Sequence, residues 1–179
     1  MTRFLLTFAT REGQTEAIAQ RVTERLRAAG HEATLQNAGD KTAVAPAPAR
    51  FDRLVFGASV HVGRIEKEML SFVKRHADLI DSLPHDIFLV SLGAAEVDPM
   101  VKTDRIAEAQ ARLDADLPVP FPEAQVFAGA LRFSRLNWVE RFIMKRIATQ
   151  GGLITDTTRD YEFTDWDRVD AYADRLAAL

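Results

Sequence analysis

Short apolar runs alternate along the chain with stretches whose apolar residues recur at three- and four-residue spacing. The first pattern predicts strands and the second amphipathic helices. Residues 3–8 form the first predicted strand. Helical spacing follows over 15–29, with Ile18, Val22 and Leu26 on one face and Gly30 as a stop. Residues 31–36 alternate and predict a second strand, while Pro46 and Pro48 make 41–50 a surface connection. A third strand is expected at 51–56, ending at Gly57, and a helix at 66–79 carrying Met69, Leu70, Phe72 and Val73. A fourth strand at 87–92, a charged helix at 102–113 and a fifth strand at 126–131 follow. The last helix spans 165–179, with Thr164 or Asp165 placed to cap it.

This alternation predicts the α/β class, a parallel sheet covered by helices on both faces. Five strands fit a doubly wound sheet of order 2-1-3-4-5, whose ligand lies beyond the carboxyl ends of strands one and three. The connections after strands one, three and four then converge on one crevice. They comprise Thr10, Arg11, Glu12, Gly13, Gln14 and Thr15; Ala58, Ser59, Val60, His61, Val62 and Gly63; and Ser91, Leu92, Gly93 and Ala94. Small and hydroxyl residues recur in all three, as a backbone-lined pocket for a flat, polar ligand requires.

The first of these loops stands where a strand becomes a helix. N–H groups at a helix start have no intrahelical partner, and the aligned peptide dipoles leave positive charge there, so the loop is suited to an oxyanion. Gly13 permits close backbone approach, and Thr10 and Thr15 add hydroxyl donors. No lysine of the P-loop type is present, which favours a phosphate monoester over a nucleoside triphosphate. The competing reading is a strand-to-helix turn capped by Thr10 or Thr15. Glu12 beside a dianion is expected to point to solvent or cap the helix start. Ser59 and Ser91 have two open roles, donation to a ligand or capping of local backbone. His61 is the crevice residue suited to accept a proton near neutrality, against the plain alternative of a solvated loop histidine.

Length and composition refine this picture. The chain has 179 residues, 47% hydrophobic and 27% charged, enough for one domain over 1–179 with a buried core. It contains no cysteine, which excludes disulfides, thiolate metal sites and a cysteine nucleophile and makes the reducing cytoplasm the expected compartment. No metal constellation is expected, since His31, His76 and His85 show no ligand spacing. No signal peptide or spanning segment is expected, so membrane contact would be peripheral. A net charge of −3 gives no general attraction to nucleic acid.

That average conceals a basic segment. Residues 132–164 exceed what a minimal doubly wound domain needs. Within them, 137–148 is amphipathic: Trp138 and Phe142 lie on one side, Arg141, Lys145 and Arg146 largely on the other, and Arg132 and Arg135 extend the cluster. Two readings stand. Either the apolar side packs on the domain and the charges are solvated, or the segment meets anionic lipid headgroups and substrate carboxylates.

Taken together, the loops resemble those of the flavodoxin superfamily. Within it the chain is similar to the menaquinone-dependent protoporphyrinogen oxidase group. The segments that carry this are Thr10-Arg11-Glu12-Gly13-Gln14-Thr15, the run from Gly57 to Gly63, Phe72-Val73-Lys74-Arg75-His76-Ala77, Ala128-Gly129-Ala130-Leu131-Arg132, Gly151-Gly152-Leu153-Ile154-Thr155-Asp156-Thr157, and Thr164-Asp165-Trp166. The resemblance implies a flavodoxin-like fold and FMN, with its phosphate on the first loop. It also implies oxidation of a tetrapyrrole, protoporphyrinogen IX, with a membrane quinone as acceptor. Two departures stand out: Val60-His61-Val62 lacks the basic residue and tyrosine frequent in similar proteins, and the loop at Ser91 lacks the tyrosine of many electron carriers. Both imply one of two things, an open flavin face suited to a bulky substrate or weaker FMN binding. The alternative function is a flavodoxin-type FMN electron carrier, and a third is a flavin-free binding domain on the same fold.

Overall fold

The computed structural model describes residues 1–61, 63–131 and 159–179. Val62, the basic cluster Arg132, Arg135, Trp138, Arg141, Phe142, Lys145 and Arg146, and the 151–157 motif lie outside the described residues. The central sheet runs in the order β2 (Glu32–Asn37), β1 (Arg3–Ala9), β3 (Arg53–His61), β5 (His85–Val90), β6 (Gln125–Phe127), all parallel. A two-residue β4 (Arg64–Ile65) folds back antiparallel on the end of β3. With β4 set aside, this is the expected 2-1-3-4-5 arrangement.

Period-two alternation sorts the side chains of each central strand to two faces. Phe4, Leu6 and Phe8 of β1 join Val55, Phe88, Val90 and Phe127 in one core layer. That layer is closed by α1 (Gln14–Ala28) and the C-terminal helix α5 (Trp166–Ala177), through Ile18, Val22, Leu26, Val169, Tyr172 and Leu176. On the other face Leu5, Leu54, Phe56, Ile87 and Leu89 pack with Met69, Phe72 and Val73 of α2 (Lys67–Arg75), Ile80 of α3 (Ala77–Asp81), and Ala109 and Leu113 of α4 (Pro99–Asp116). At the exposed rim of the first layer Arg21 forks Asp170 at 2.7 and 2.8 Å, and Arg25 reaches Asp174 at 2.7 Å. Surface pairs of this kind contribute about 0–1 kcal/mol each. The apolar layer therefore carries the helix packing.

Several boundaries differ from the expected ones for identifiable reasons. The third strand does not stop at Gly57 but runs to His61, so Ala58 to His61 are strand and not loop. Gly57 is needed within the strand because the Phe88 ring lies over it: a Cβ there would stand 2.3 Å from Phe88 Cζ. The helix expected at 66–79 breaks at His76, whose N–H is shared between Phe72 O and Val73 O, and restarts as α3. The charged helix starts earlier, at Pro99, because Asp98 caps it by accepting from Met100 N at 2.9 Å. The fifth strand leaves the sheet after Phe127, and its last part forms β7 (Ala130–Leu131), paired antiparallel with β8 (Tyr161–Glu162). Gly30 does end α1, at φ +89°, and Asp165 caps α5 by accepting from Arg168 N at 3.1 Å.

Replacing Gly57 by alanine is expected to force the Phe88 ring aside and cost about 1–3 kcal/mol, as overpacking of a dense core does. Urea denaturation monitored by far-UV circular dichroism measures this as a lower midpoint with an unchanged slope.

Candidate functional site

Parallel pairing places the carboxyl ends of β1, β3 and β5 side by side, with Ala9 opposite Ala58 and Ser59 opposite Val90. A cavity of about 770 Å³ opens at that edge. This lies within the roughly 300–1,000 Å³ of small-molecule sites. Thr10, Arg11, Glu12, Gln14 and Thr15 line it from the first segment, Ser59, Val60, His61 and Gly63 from the second, and Ser91, Leu92 and Gly93 from the third. Of the residues expected there, Ala58 and Ala94 instead face the core, where both are buried. Gly13 shapes the loop from the backbone.

The first segment turns tightly into the start of α1. Gly13 takes φ +92°, a left-handed conformation that favours glycine, and its N–H donates to Thr10 Oγ1 at 3.0 Å. Gly13 itself occupies the N-cap position, so neither threonine caps α1. Thr15 sits in the first turn, and its Oγ1 is buried without a hydrogen-bond partner among the described residues. An orphaned hydroxyl in a cavity wall, at the positive end of a 15-residue helix, is what a phosphate oxygen would satisfy. Glu12 is half-buried in the cavity wall instead of pointing to solvent. The side-chain amide of Gln14 turns to the C-terminal segment, donating to Glu162 Oε1 at 3.2 Å and Thr164 Oγ1 at 2.9 Å. Thr164 in turn donates to Ala128 O at 2.9 Å, and Trp166 Nε1 donates to Glu162 at 2.7 Å.

The other two segments supply a mixed wall. Ser59 Oγ donates to Glu66 Oε1 at 3.1 Å. Ser91 Oγ accepts from Gly93 N at 3.2 Å and so starts the 3-10 turn Leu92–Ala95. Gly93 has a second role: a Cβ there would stand 2.9 Å from Cβ of Arg105, so its bareness lets the Arg105 stem lie against the loop. His61 is half-buried at the cavity and faces Arg64 across the β3–β4 hairpin, which turns at Gly63, φ +69°. Sequence reasoning missed Gly129, Ala130 and Phe163, brought in by the β7–β8 pair, and Glu96, Arg105, Glu108 and Arg112, contributed by α4 and the turn before it. Arg105 is bound to Glu108 at 2.8 Å. A period-3.6 analysis of α4 would have shown that 105, 108, 109, 112 and 115 share a face; which way that face turns needs the packing.

A model of the flavodoxin domain matches residues 5–158. The chain belongs to the flavodoxin-domain family. Over 175 residues it is 32% identical to the protein of Escherichia coli (strain K12) named protoporphyrinogen IX dehydrogenase [quinone], a match covering 98% of this chain and 94% of that protein. A protein of the same name from Leishmania major is 28% identical over 131 residues, covering 73% of this chain and 56% of its own. Among solved structures, oxidised flavodoxin 1 from Bacillus cereus aligns with TM-score 0.53 at 15% identity, covering 99% of this chain and 95% of that one. A Streptococcus pneumoniae TIGR4 flavodoxin gives TM-score 0.53 at 16% identity, covering 98% and 97%. The structural matches bear out the fold, and the sequence matches bear out the resemblance to the protoporphyrinogen oxidase group. Membership of that group makes the chain an oxidoreductase with a flavodoxin-type flavin site.

Replacing Thr15 by isosteric valine tests the anion end of the cavity. Removing an unsatisfied buried hydroxyl is expected to leave the ligand-free protein at least as stable, while FMN affinity falls about tenfold, the effect of one hydrogen bond to a charged group. Thermal melts without ligand and titration of FMN fluorescence supply the two measurements.

Proposed function

We propose that this chain is an FMN-dependent protoporphyrinogen IX dehydrogenase that passes electrons to a quinone dissolved in the membrane. The observation that carries the reading is the convergence of three strand ends on one cavity, with the buried, unpartnered Thr15 hydroxyl at its helix-start end. Near-full-length similarity to a protein named for that reaction supports the substrate and the acceptor. Bound in this cavity, FMN supplies the redox chemistry, and the chain supplies binding, orientation and exclusion of water.

The residues present fit that cofactor. Thr10, Thr15 and the first turn of α1 hold the phosphate, and Ser59 and Ser91 stand where a ribityl chain or ring edge needs polar partners. Val60, Leu92 and Phe163 give apolar walls, Phe163 being stacked on Tyr161 with ring centroids 6.2 Å apart. No tyrosine closes the face at residues 59–63 or 91–94, leaving it open to a bulky macrocycle. Arg112 brings a cation to the cavity that suits a substrate carrying carboxylates, while Arg11 and Arg105 are already paired with Glu66 and Glu108. From the sequence alone, the basic residues Arg132, Arg135, Arg141, Lys145 and Arg146, with Trp138 and Phe142, are assigned to contact with anionic lipid headgroups or substrate carboxylates.

The surface beyond the third crevice segment supports delivery to a lipid-dissolved acceptor. Apart from the terminal Met1 and Leu179, the exposed large apolar residues among those described are Val97, Met100 and Val101, and Val97 and Met100 are 79% and 75% exposed. They begin two residues past the 3-10 turn and lie within five residues of one another, and we take them together as an apolar rim.

Two experiments test the reading. Under anaerobic conditions, reconstituted protein mixed with protoporphyrinogen IX and a menaquinone analogue should develop porphyrin fluorescence well above the rate with free FMN. A rate equal to that of free FMN rejects the assignment and leaves an electron carrier. For the rim, replacing Val97 and Met100 together by glutamate is expected to leave turnover with a water-soluble quinone unchanged. Turnover with a long-chain quinone in vesicles should fall several-fold; equal effects on both quinones would remove the rim from the reading.

A further inference from the structure

Among the described residues Glu66 is the one acidic or basic side chain that is buried, 8% exposed. A carboxylate is costly to bury unless partners offset the lost hydration. Its position suggests a routine reason, since it is the N-cap residue of α2, yet its side chain makes no capping hydrogen bond. It turns instead toward the cavity wall. Oε1 accepts from Ser59 Oγ at 3.1 Å and lies 3.6 Å from Arg11 Nε, while the Glu66 backbone N–H donates to Ser59 O at 3.3 Å. Arg11 belongs to the first crevice segment and Ser59 to the second, and both line the cavity, which Glu66 itself does not. One buried carboxylate thus joins two walls of the site from behind.

A serine hydroxyl has one proton and two lone pairs. With the proton committed to Glu66, Ser59 faces the cavity only as an acceptor. We propose that Glu66 is a positioning residue that fixes Ser59 as a hydrogen-bond acceptor and holds Arg11 across the crevice. This wall then selects a ligand edge carrying an N–H or O–H donor. The inference rests on the FMN reading of the cavity, where the donor is the flavin imide N–H or a ribityl hydroxyl. It reverses the donor role that the sequence suggested for Ser59. A glutamine at 66 can turn its amide N–H₂ toward Ser59, freeing the serine proton and inverting the polarity of the wall.

The test is FMN titration of apoprotein for the wild type, Ser59→Ala, Glu66→Gln, the double variant and Glu66→Asp, with thermal melts of each apoprotein. Each of the first two single variants is expected to weaken FMN about tenfold, with the double variant no weaker than either, because the two residues act as one unit. The Glu66→Gln apoprotein should melt no lower than wild type, since an isosteric amide replaces a buried charge. Glu66→Asp, which draws the carboxylate back by one methylene, should bind like Glu66→Gln. The proposal is overturned by wild-type affinity in Glu66→Gln, by losses that multiply in the double variant, by wild-type affinity in Glu66→Asp beside a weak Glu66→Gln, or by a matching loss of apoprotein stability. N3-methyl-FMN locates the donor: loss of discrimination against it in Ser59→Ala identifies the imide, and retained discrimination identifies a ribityl hydroxyl. Wild-type protein that binds no FMN overturns the cofactor reading together with this one, whereas unchanged variants of a binding protein overturn this one alone.

Discussion

Parallel pairing of β1 with both β2 and β3 is the constraint from which the rest of the molecule follows. In a parallel sheet every carboxyl end points to the same edge, and the connections must cross the faces to return. β1 is paired along its length on both sides, Leu5 with Thr34 and with Leu54. Buried on both faces, it cannot slip by one residue without driving Phe4, Leu6 and Phe8 into the layer packed around Leu5 and emptying their own. Its end at Ala9 is therefore held, and with it the start of α1 five residues later. The crevice is a consequence of strand register, and the helix dipole at its base is a consequence of where β1 stops.

The C-terminal segment shows how that base is kept in place. Thr164, Asp165 and Trp166 serve three separate structural ends. Thr164 links Gln14 to Ala128, Asp165 caps α5, and Trp166 holds Glu162. Glu162 also receives the Gln14 amide. A residue in the anion loop is thus tied to a chain segment about 150 positions away, and the same segment places Phe163 in the cavity wall. The Arg21 and Arg25 pairs to Asp170 and Asp174 continue the attachment along the helix. The first crevice segment and the C-terminal helix form one mechanical unit.

Much of this was legible in the residues, and the parts that were not share a cause. Strand and helix periods, Gly30 and Asp165 report local chemistry, and local chemistry decided those elements. Gly57 misled because a glycine reads as a stop, whereas here it makes room for a ring from the neighbouring strand, information held in Phe88. Gly93 likewise answers to Arg105. The β7–β8 pair is two residues long on each side, too short for any period to register, so Gly129, Ala130 and Phe163 went unread. Glu66 stands at the first position of the helix expected over 66–79, where an acid needs no special reason. Only the fold shows its carboxylate turned away from the helix.

These particulars separate two kinds of polar group in the site. Ser59, Ser91, Thr10 and Gln14 already have protein partners, so their geometry is set before any ligand arrives. Thr15 has none among the described residues. Groups with partners give precision, because their rotamers need not reorganise on binding. An unsatisfied buried hydroxyl gives differential affinity, because its desolvation penalty of about 1–3 kcal/mol is present in the free protein and relieved only in the complex. The same division applies to charge: Glu66 is compensated from behind the wall by Ser59 and Arg11, which keeps a carboxylate close to an anion loop without aiming it at the anion. On the proposed reading of the cavity, a ligand gains its affinity at the orphaned atom and its orientation at the partnered ones.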